Sequence, residues 1–196
     1  NPTLSSPTYT SAFTLAKTSI VKAQIFDNKK LPGKVAEVSA RSYTWMPAVK
    51  ISGAMQPGVA YKYFETKGKQ NLAALPALTP AVTGVTADIS VAVKKRASEF
   101  SLLFDGYLKI EKDGIYHFTT RSDDGSILYI DDEEVVNNDG DHGSVEAAGK
   151  AALKKGYHKI RVAYYDGSGG NELTATMQLE NAPKNTLNSK LIWTKK

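Results

Sequence analysis

The sequence predicts an all-β protein of antiparallel strands, a sandwich or a barrel. Three observations carry this. Apolar and polar residues alternate with a period of two along most of the chain. No segment holds a long apolar stripe of period 3.6. Turn-forming residues separate the alternating runs at short, regular intervals.

The elements follow in order. Thr18–Phe26 and Val35–Ala40 are the first alternating runs, split by Asp27-Asn28 and Pro32-Gly33. Val59–Phe64 comes next, after a looser stretch containing Trp45-Met46-Pro47, Gly53, Pro57 and Gly58. Phe100–Ile110 and Gly114–Arg121 flank the turn Lys112-Asp113-Gly114, and Ser126–Ile130 follows. Ile160, Val162 and Tyr164 then alternate with Lys159, Arg161 and Ala163, after the turn Lys155-Gly156. Leu173, Ala175, Met177 and Leu179 alternate with Glu172, Thr174, Thr176 and Gln178. Helix content is expected to be small. The looser stretch suggests a boundary near residues 43–58, with a small β module over 1–46 and a larger domain over 47–196. Some 40 residues with about three strand signals are too few for a comfortable sandwich. Those strands either pack on the larger domain or belong to a module whose first strands lie outside this chain.

Composition narrows the function classes. The chain has 196 residues, 41% hydrophobic and 23% charged, an ordinary balance for a globular protein. It contains no cysteine, which excludes a disulfide framework, a thiolate metal site and a cysteine nucleophile. No stretch has the length of a membrane-spanning helix. It starts at Asn1 without a signal-like segment, as expected of a processed or trimmed piece of a longer, exported protein. The formal net charge is +5, yet nine of the 20 acidic residues lie between Ser122 and Gly149, a window without Lys or Arg. An anionic segment in a basic protein points to a cation site or polar-ligand loops and away from nucleic acid. No Ser-His-Asp constellation, zinc spacing or carboxylate pair across a cleft is recognisable, so the chain reads as non-catalytic. Ser168-Gly169-Gly170 lacks the strand–loop–helix context of a phosphate cradle.

Several motifs carry a resemblance. Phe104-Asp105-Gly106-Tyr107-Leu108 is followed by Asp113-Gly114-Ile115-Tyr116-His117-Phe118, then by Ser122-Asp123-Asp124-Gly125-Ser126-Ile127-Leu128-Tyr129-Ile130-Asp131. With the opening Val59–Glu65, the loop Asn138–Gly143 and the run Ile160–Tyr165, these resemble, over about residues 55–180, the protective-antigen-type ("PA-fourteen") domain. The resemblance implies a jelly-roll-like β-sandwich of two antiparallel sheets, a family found in glycosidases, adhesins and toxins. It also implies that the Asp123-Asp124 peptide is cis, that this pair holds calcium, and that a later loop supplies an Asn. On that loop, Asp166–Asn171, Asn171 is the expected ligand. One departure stands out: Asp132 occupies the place of a hairpin Gly, so the turn needs a non-Gly residue at positive φ or a different turn type.

Pro7–Leu15 and Ser19–Phe26 resemble the C-terminal, fibronectin-III-like module of chitobiase and β-N-acetylhexosaminidases, here in partial form. The parent protein is then expected to be a glycoside hydrolase of that kind, periplasmic, cell-surface or secreted.

The expected ligand-binding residues are Asp123, Asp124, Asp141, His142, Tyr165 and Asn171, with Asp123, Asp124 and Asn171 on the metal. Tyr165 is expected to face outward beside the Gly-rich loop if Ile160, Val162 and Tyr164 face inward. Against each stands a plain structural role: an Asx turn for Asp123-Asp124, solvated turn caps for Asp139, Asp141 and His142, and strand packing for the tyrosines. The expected partners are a glycan and the catalytic domain of the parent enzyme. The alternatives are a structural accessory that packs on a catalytic domain without a ligand of its own, and an adhesin or protein-interaction domain.

Overall fold

In the computed structural model of the protein the described residues are 1–13, 15, 19–40 and 42–196. Thr14 and Thr18, part of the expected N-terminal motif and first strand, lie outside them. The chain divides into two compact units, Asn1–Thr44 and Trp45–Lys196.

The first unit contains one antiparallel pair, β1 (Ser19–Phe26) and β2 (Pro32–Ala40), with a bulge between Gln24 and Phe26. The Asp27 carboxylate shapes the connection by accepting from the backbone N–H groups of Lys29 and Leu31 at 2.9 and 2.8 Å. Ile20, Ile25, Leu31 and Val38 are exposed.

The second unit is a sandwich of two sheets. Its strands are β3 (Trp45–Met46), β4 (Met55–Pro57), β5 (Val59–Glu65), β6 (Val82–Thr86), β7 (Phe100–Ile110), β8 (Gly114–Asp123), β9 (Ser126–Ile130), β10 (Glu133–Asn138), β11 (Val145–Leu153), β12 (Gly156–Asp166), β13 (Glu172–Leu179), β14 (Asn185–Thr186) and β15 (Ile192–Lys195). The larger sheet runs β10-β9-β12-β7-β15-β4, with β5 on the remaining length of β7 and β6 beside β5. The smaller sheet runs β14-β13-β8-β11-β3, antiparallel except for the parallel β3–β11 contact. Trp45 and Met46 thus belong with the second unit. Among the described residues, helix is confined to two short 3-10 turns, Leu72–Ala77 and Val91–Val93.

Alternation explains the main core. Phe100, Leu102, Phe104 and Leu108 of β7 and Ile160, Val162 and Tyr164 of β12 face Tyr116 and Phe118 of β8 and Leu173, Ala175 and Met177 of β13. A second cluster lies on the other face of the larger sheet. There Leu72 and Leu75 of the first 3-10 turn cover Phe64, Leu103, Ile127, Ala163 and Tyr165. Between β9 and β10, Asp131 and Asp132 both take positive φ, 49° and 71°. They form the two-residue turn that matches the twist of a hairpin, without its usual glycine.

β10 and β11 are the longest of the strands that the alternation did not single out. β10 bulges between Glu134 and Val136, and the bulge brings the Val135 carbonyl against Gly149 of β11. A Cβ at 149 would stand 1.7 Å from that oxygen, so only glycine allows the approach.

Candidate functional site

The end of the sandwich where β8 passes into β9 gathers the acidic motif. The Asp123–Asp124 peptide is cis. The motif's serines lie beneath it, fully buried. Ser122 and Ser126 hydroxyls are 2.8 Å apart, Ser126 donates to Thr120 at 3.0 Å, and Asn138 donates its amide to Ser122 at 3.0 Å. Burying these groups costs little because each has a partner. Gly125 lets the next loop close over the turn: a Cβ there would meet the Tyr165 ring at 2.5 Å and Asp139 Oδ1 at 2.8 Å.

Asp124 ties two loops together. Its Oδ1 accepts from the His142 backbone N–H at 3.1 Å and its Oδ2 from the Gly167 N–H at 2.9 Å. The β10–β11 and β12–β13 connections are thereby held to one carboxylate. Asp123 lies beside Gly170, and its backbone carbonyl accepts from the Tyr164 hydroxyl at 2.5 Å. Burial, then the Asp124 charge, push the Asp123 carboxyl above its ordinary value. Tyr164 is likewise pushed up, by burial first and then by Asp166.

Asp166 was expected only as the start of a loop. It is fully buried, and neither carboxylate oxygen has a hydrogen-bond partner. Burial pushes its pKa up to about 6, aided by the Asp124 and Asp123 charges and opposed by Lys94. The sequence held a signal for it. Val162, Tyr164 and Asp166 are spaced by two, so Asp166 inherits the inward face of β12.

The remaining expected residues divide. Asp141 is exposed, and its Oδ1 accepts from the Tyr165 hydroxyl at 2.6 Å. His142 is half-buried, with Nδ1 2.9 Å from the Gly143 carbonyl and Nε2 3.1 Å from the Asn138 carbonyl. Burial pulls its pKa down, but the two carbonyls and the Asp124 charge outweigh it and leave the value raised. Its ring is a cross-brace of the loop. Asn171 donates to the Ala97 carbonyl at 2.7 Å, and its Oδ1 accepts from the Lys94 ammonium. Lys94 itself escaped the sequence reading, because it lies 77 residues away from Asn171.

The expectation that Tyr165 faces outward is corrected. Its exposure is 0%, because the 3-10 turn Leu72–Ala77 covers that face of the sheet. Its ring has no room to stack on a sugar; the hydroxyl positions Asp141 instead.

Calcium takes six to eight oxygen ligands, and Asp123, Asp124 and the unpartnered Asp166 are a suitable carboxylate set for it. They are near enough to perturb one another, although among the described residues no three such side chains converge to metal-ligating distance. A groove of about 350 Å³ lies on the outer face of the larger sheet, lined by Asp105, Tyr107, Lys159 and Arg161 among others. Arg161 pairs with Asp105 at 2.7 Å, and Lys159 with Asp132 at 2.8 Å. The groove therefore lacks the unpartnered group that distinguishes the loop end.

A model of the PA14 domain family matches residues 55–189. Among curated proteins, the protective antigen of Bacillus anthracis is 28% identical over 95 residues, which are 48% of this chain and 10% of that protein. The match thus spans about a tenth of that relative's length. Among solved structures, the PA14 domain of the MpAFP antifreeze protein superposes with a TM-score of 0.63 at 19% identity, covering 75% of this chain and 95% of the other. The PA14 sugar-binding domain from an RTX adhesin gives 0.59 at 15% identity, covering 70% and 98%. The Epithelial Adhesin 6 A domain from Candida glabrata, solved in complex with Galb1-3GlcNAc, gives 0.54 at 13% identity, covering 73% and 89%. At these identities the likeness is one of fold. No helix among the described residues is long and apolar enough to cross a membrane.

Proposed function

The chain belongs to the PA14 domain family, and from that premise we propose that it is a non-catalytic, glycan-binding accessory region of an exported glycoside hydrolase. The observation that carries the proposal is the buried, unpartnered Asp166 carboxylate beside Asp123 and Asp124 at the loop end of the sandwich. A bare buried carboxylate is costly, and a divalent cation offsets that cost. Asp123 and Asp124 would hold calcium, with Asn171 joining when its oxygen is released from Lys94 and the nearby Asp166 charge adding to the attraction. An ion held there would supply a positive centre able to attract sugar hydroxyls. Asp141, exposed and bonded by Tyr165, would accept from a further hydroxyl, and the His142 brace would keep that loop in position. The sugar-binding and adhesin domains of the same fold support a glycan as the ligand class. A β-N-acetylhexosaminidase-like parent rests on the resemblance of residues 7–26.

A second reading has its own observation. Asp124 is satisfied by two backbone N–H groups and Asn171 by Lys94 and Ala97, as in a structural accessory whose acidic turn only anchors loops. The thermal midpoint decides between the two, measured in EDTA, in calcium, and in calcium with a glycan panel that includes N-acetylglucosamine oligomers. Binding to the native state stabilises by mass action, about 2.7 kcal/mol at a hundredfold excess over Kd. The glycan-binding reading expects a rise with calcium that is lost in Asp166→Asn, and a further rise with one sugar class. A midpoint indifferent to both ligands would leave the structural accessory.

A further inference from the structure

Lys94 forms the end of the second 3-10 turn, where its backbone N–H bonds the Val91 carbonyl at 3.0 Å. From that fixed base its half-buried side chain reaches the loop end and donates to Asn171 Oδ1. Asn171 cannot turn away, because its amide nitrogen is bonded to the Ala97 carbonyl at 2.7 Å. The ammonium is also close enough to oppose the charges around Asp166 without reaching ion-pair distance. A positive group tethered to the chain therefore occupies the Asn171 oxygen that a free cation would use. Its bond to Asn171 is charge-assisted, the stronger class of hydrogen bond.

We propose that Lys94 is a built-in competitor for the divalent cation: its ammonium partly neutralises the loop end when no metal is bound, and it must leave Asn171 before a metal completes its shell. The proposal rests on the calcium reading of the same site and adds what sets its affinity. Two consequences follow together. The metal-free protein is held by Lys94 against repulsion among Asp123, Asp124 and Asp166. Metal binding is weakened by the cost of displacing a bonded ammonium and by its charge.

The test compares the wild-type chain with Lys94→Met, which keeps most of the apolar stem and removes the charge, and with Lys95→Met, which removes an exposed charge one residue away. Calcium affinity is measured by titration calorimetry and the thermal midpoint in EDTA. Lys94→Met is expected to bind calcium about tenfold more tightly, the scale of one hydrogen bond to a charged group. It is also expected to melt at lower temperature than wild type in EDTA. Lys95→Met should shift calcium affinity by less than about twofold, as a screened surface charge does. Calcium binding by Lys94→Met but not by wild type would support the proposal in its strongest form. Equal or weaker affinity in Lys94→Met, with wild type binding, would overturn it and leave the calcium reading standing. Absence of binding in both proteins would overturn the calcium reading and this proposal with it.

Discussion

Carboxylates at the loop end have opposite effects on the metal-free fold, according to what they touch. Asp124 accepts two backbone N–H groups, so Asp124→Asn turns one acceptor into a donor facing a donor. In EDTA it should destabilise the protein by about 2 kcal/mol, the cost of a broken buried hydrogen bond to a charged group. Asp166 has no partner, and its folded pKa is pushed up to about 6 from 3.8. Its ionisation therefore removes stability as the pH rises from about 4 to 6. Asp166→Asn should be the more stable protein in EDTA at pH 7, with the difference shrinking toward pH 4; urea denaturation of both variants checks the pair. At the opposite end of the sandwich, buried His158 places Nδ1 2.6 Å from Asp131 and Nε2 2.7 Å from the Lys154 carbonyl. Burial pulls its pKa down, but these two acceptors outweigh it and leave the value raised above 6.5. A raised value means stability that is full below pH 6.5 and lost as the pH climbs through the folded pKa. Denaturation midpoints from pH 6 upward should fall in wild type, and fall less in Asp131→Asn. Asp123-Asp124 was legible as a motif, because adjacency in sequence suffices to place it. Lys94 and the two acceptors of His158 were not, because their partners come from other strands and loops.

The elements show where periodicity stops informing. β7 and β12 announce themselves through large alternating side chains. β11, Val145–Leu153, is mostly alanine and glycine, so apolar and polar positions scarcely differ and no pattern rises from it. Its shape is nonetheless demanding at Gly149, where the Val135 carbonyl takes the place a side chain would fill. Gly149→Ala must push the β10 bulge off β11, and a loss of about 3 kcal/mol is expected, as in overpacked cores. Gly143→Ala, with open space around the site of its Cβ, should stay within about 0.5 kcal/mol of wild type. Denaturant midpoints of the two variants test the contrast. The expectation that Tyr165 lies open on the outer face fails for a related reason. Alternation tells which residues share a face of β12, but whether that face is covered depends on the turn Leu72–Ala77, some 90 residues earlier.

Across the whole molecule, burial follows the extent of paired sheet. The sandwich of residues 45–196 buries a continuous apolar core between two sheets, whereas the described residues of 1–44 form one two-stranded pair with exposed apolar residues. Two strands alone are marginal in water. Amide hydrogen exchange should therefore be fast along Ser19–Phe26 and slowest along Phe100–Ile110 and Gly156–Asp166; equal protection in the two units would contradict this. The loops at the acidic end have a different kind of freedom. Asp124 grips them only through the peptide N–H groups of His142 and Gly167, which every residue except proline can offer. A Cβ at Gly167 would meet nothing closer than 3.5 Å. The loops are thus clasped without their side chains being spent on the clasp, and new surface chemistry can be written into them by mutation while the scaffold beneath is inherited unchanged. In a library randomised across both loops with Gly140, Gly169 and Gly170 kept, folded survivors should span many side-chain sets and share one exclusion, proline at 142 and 167.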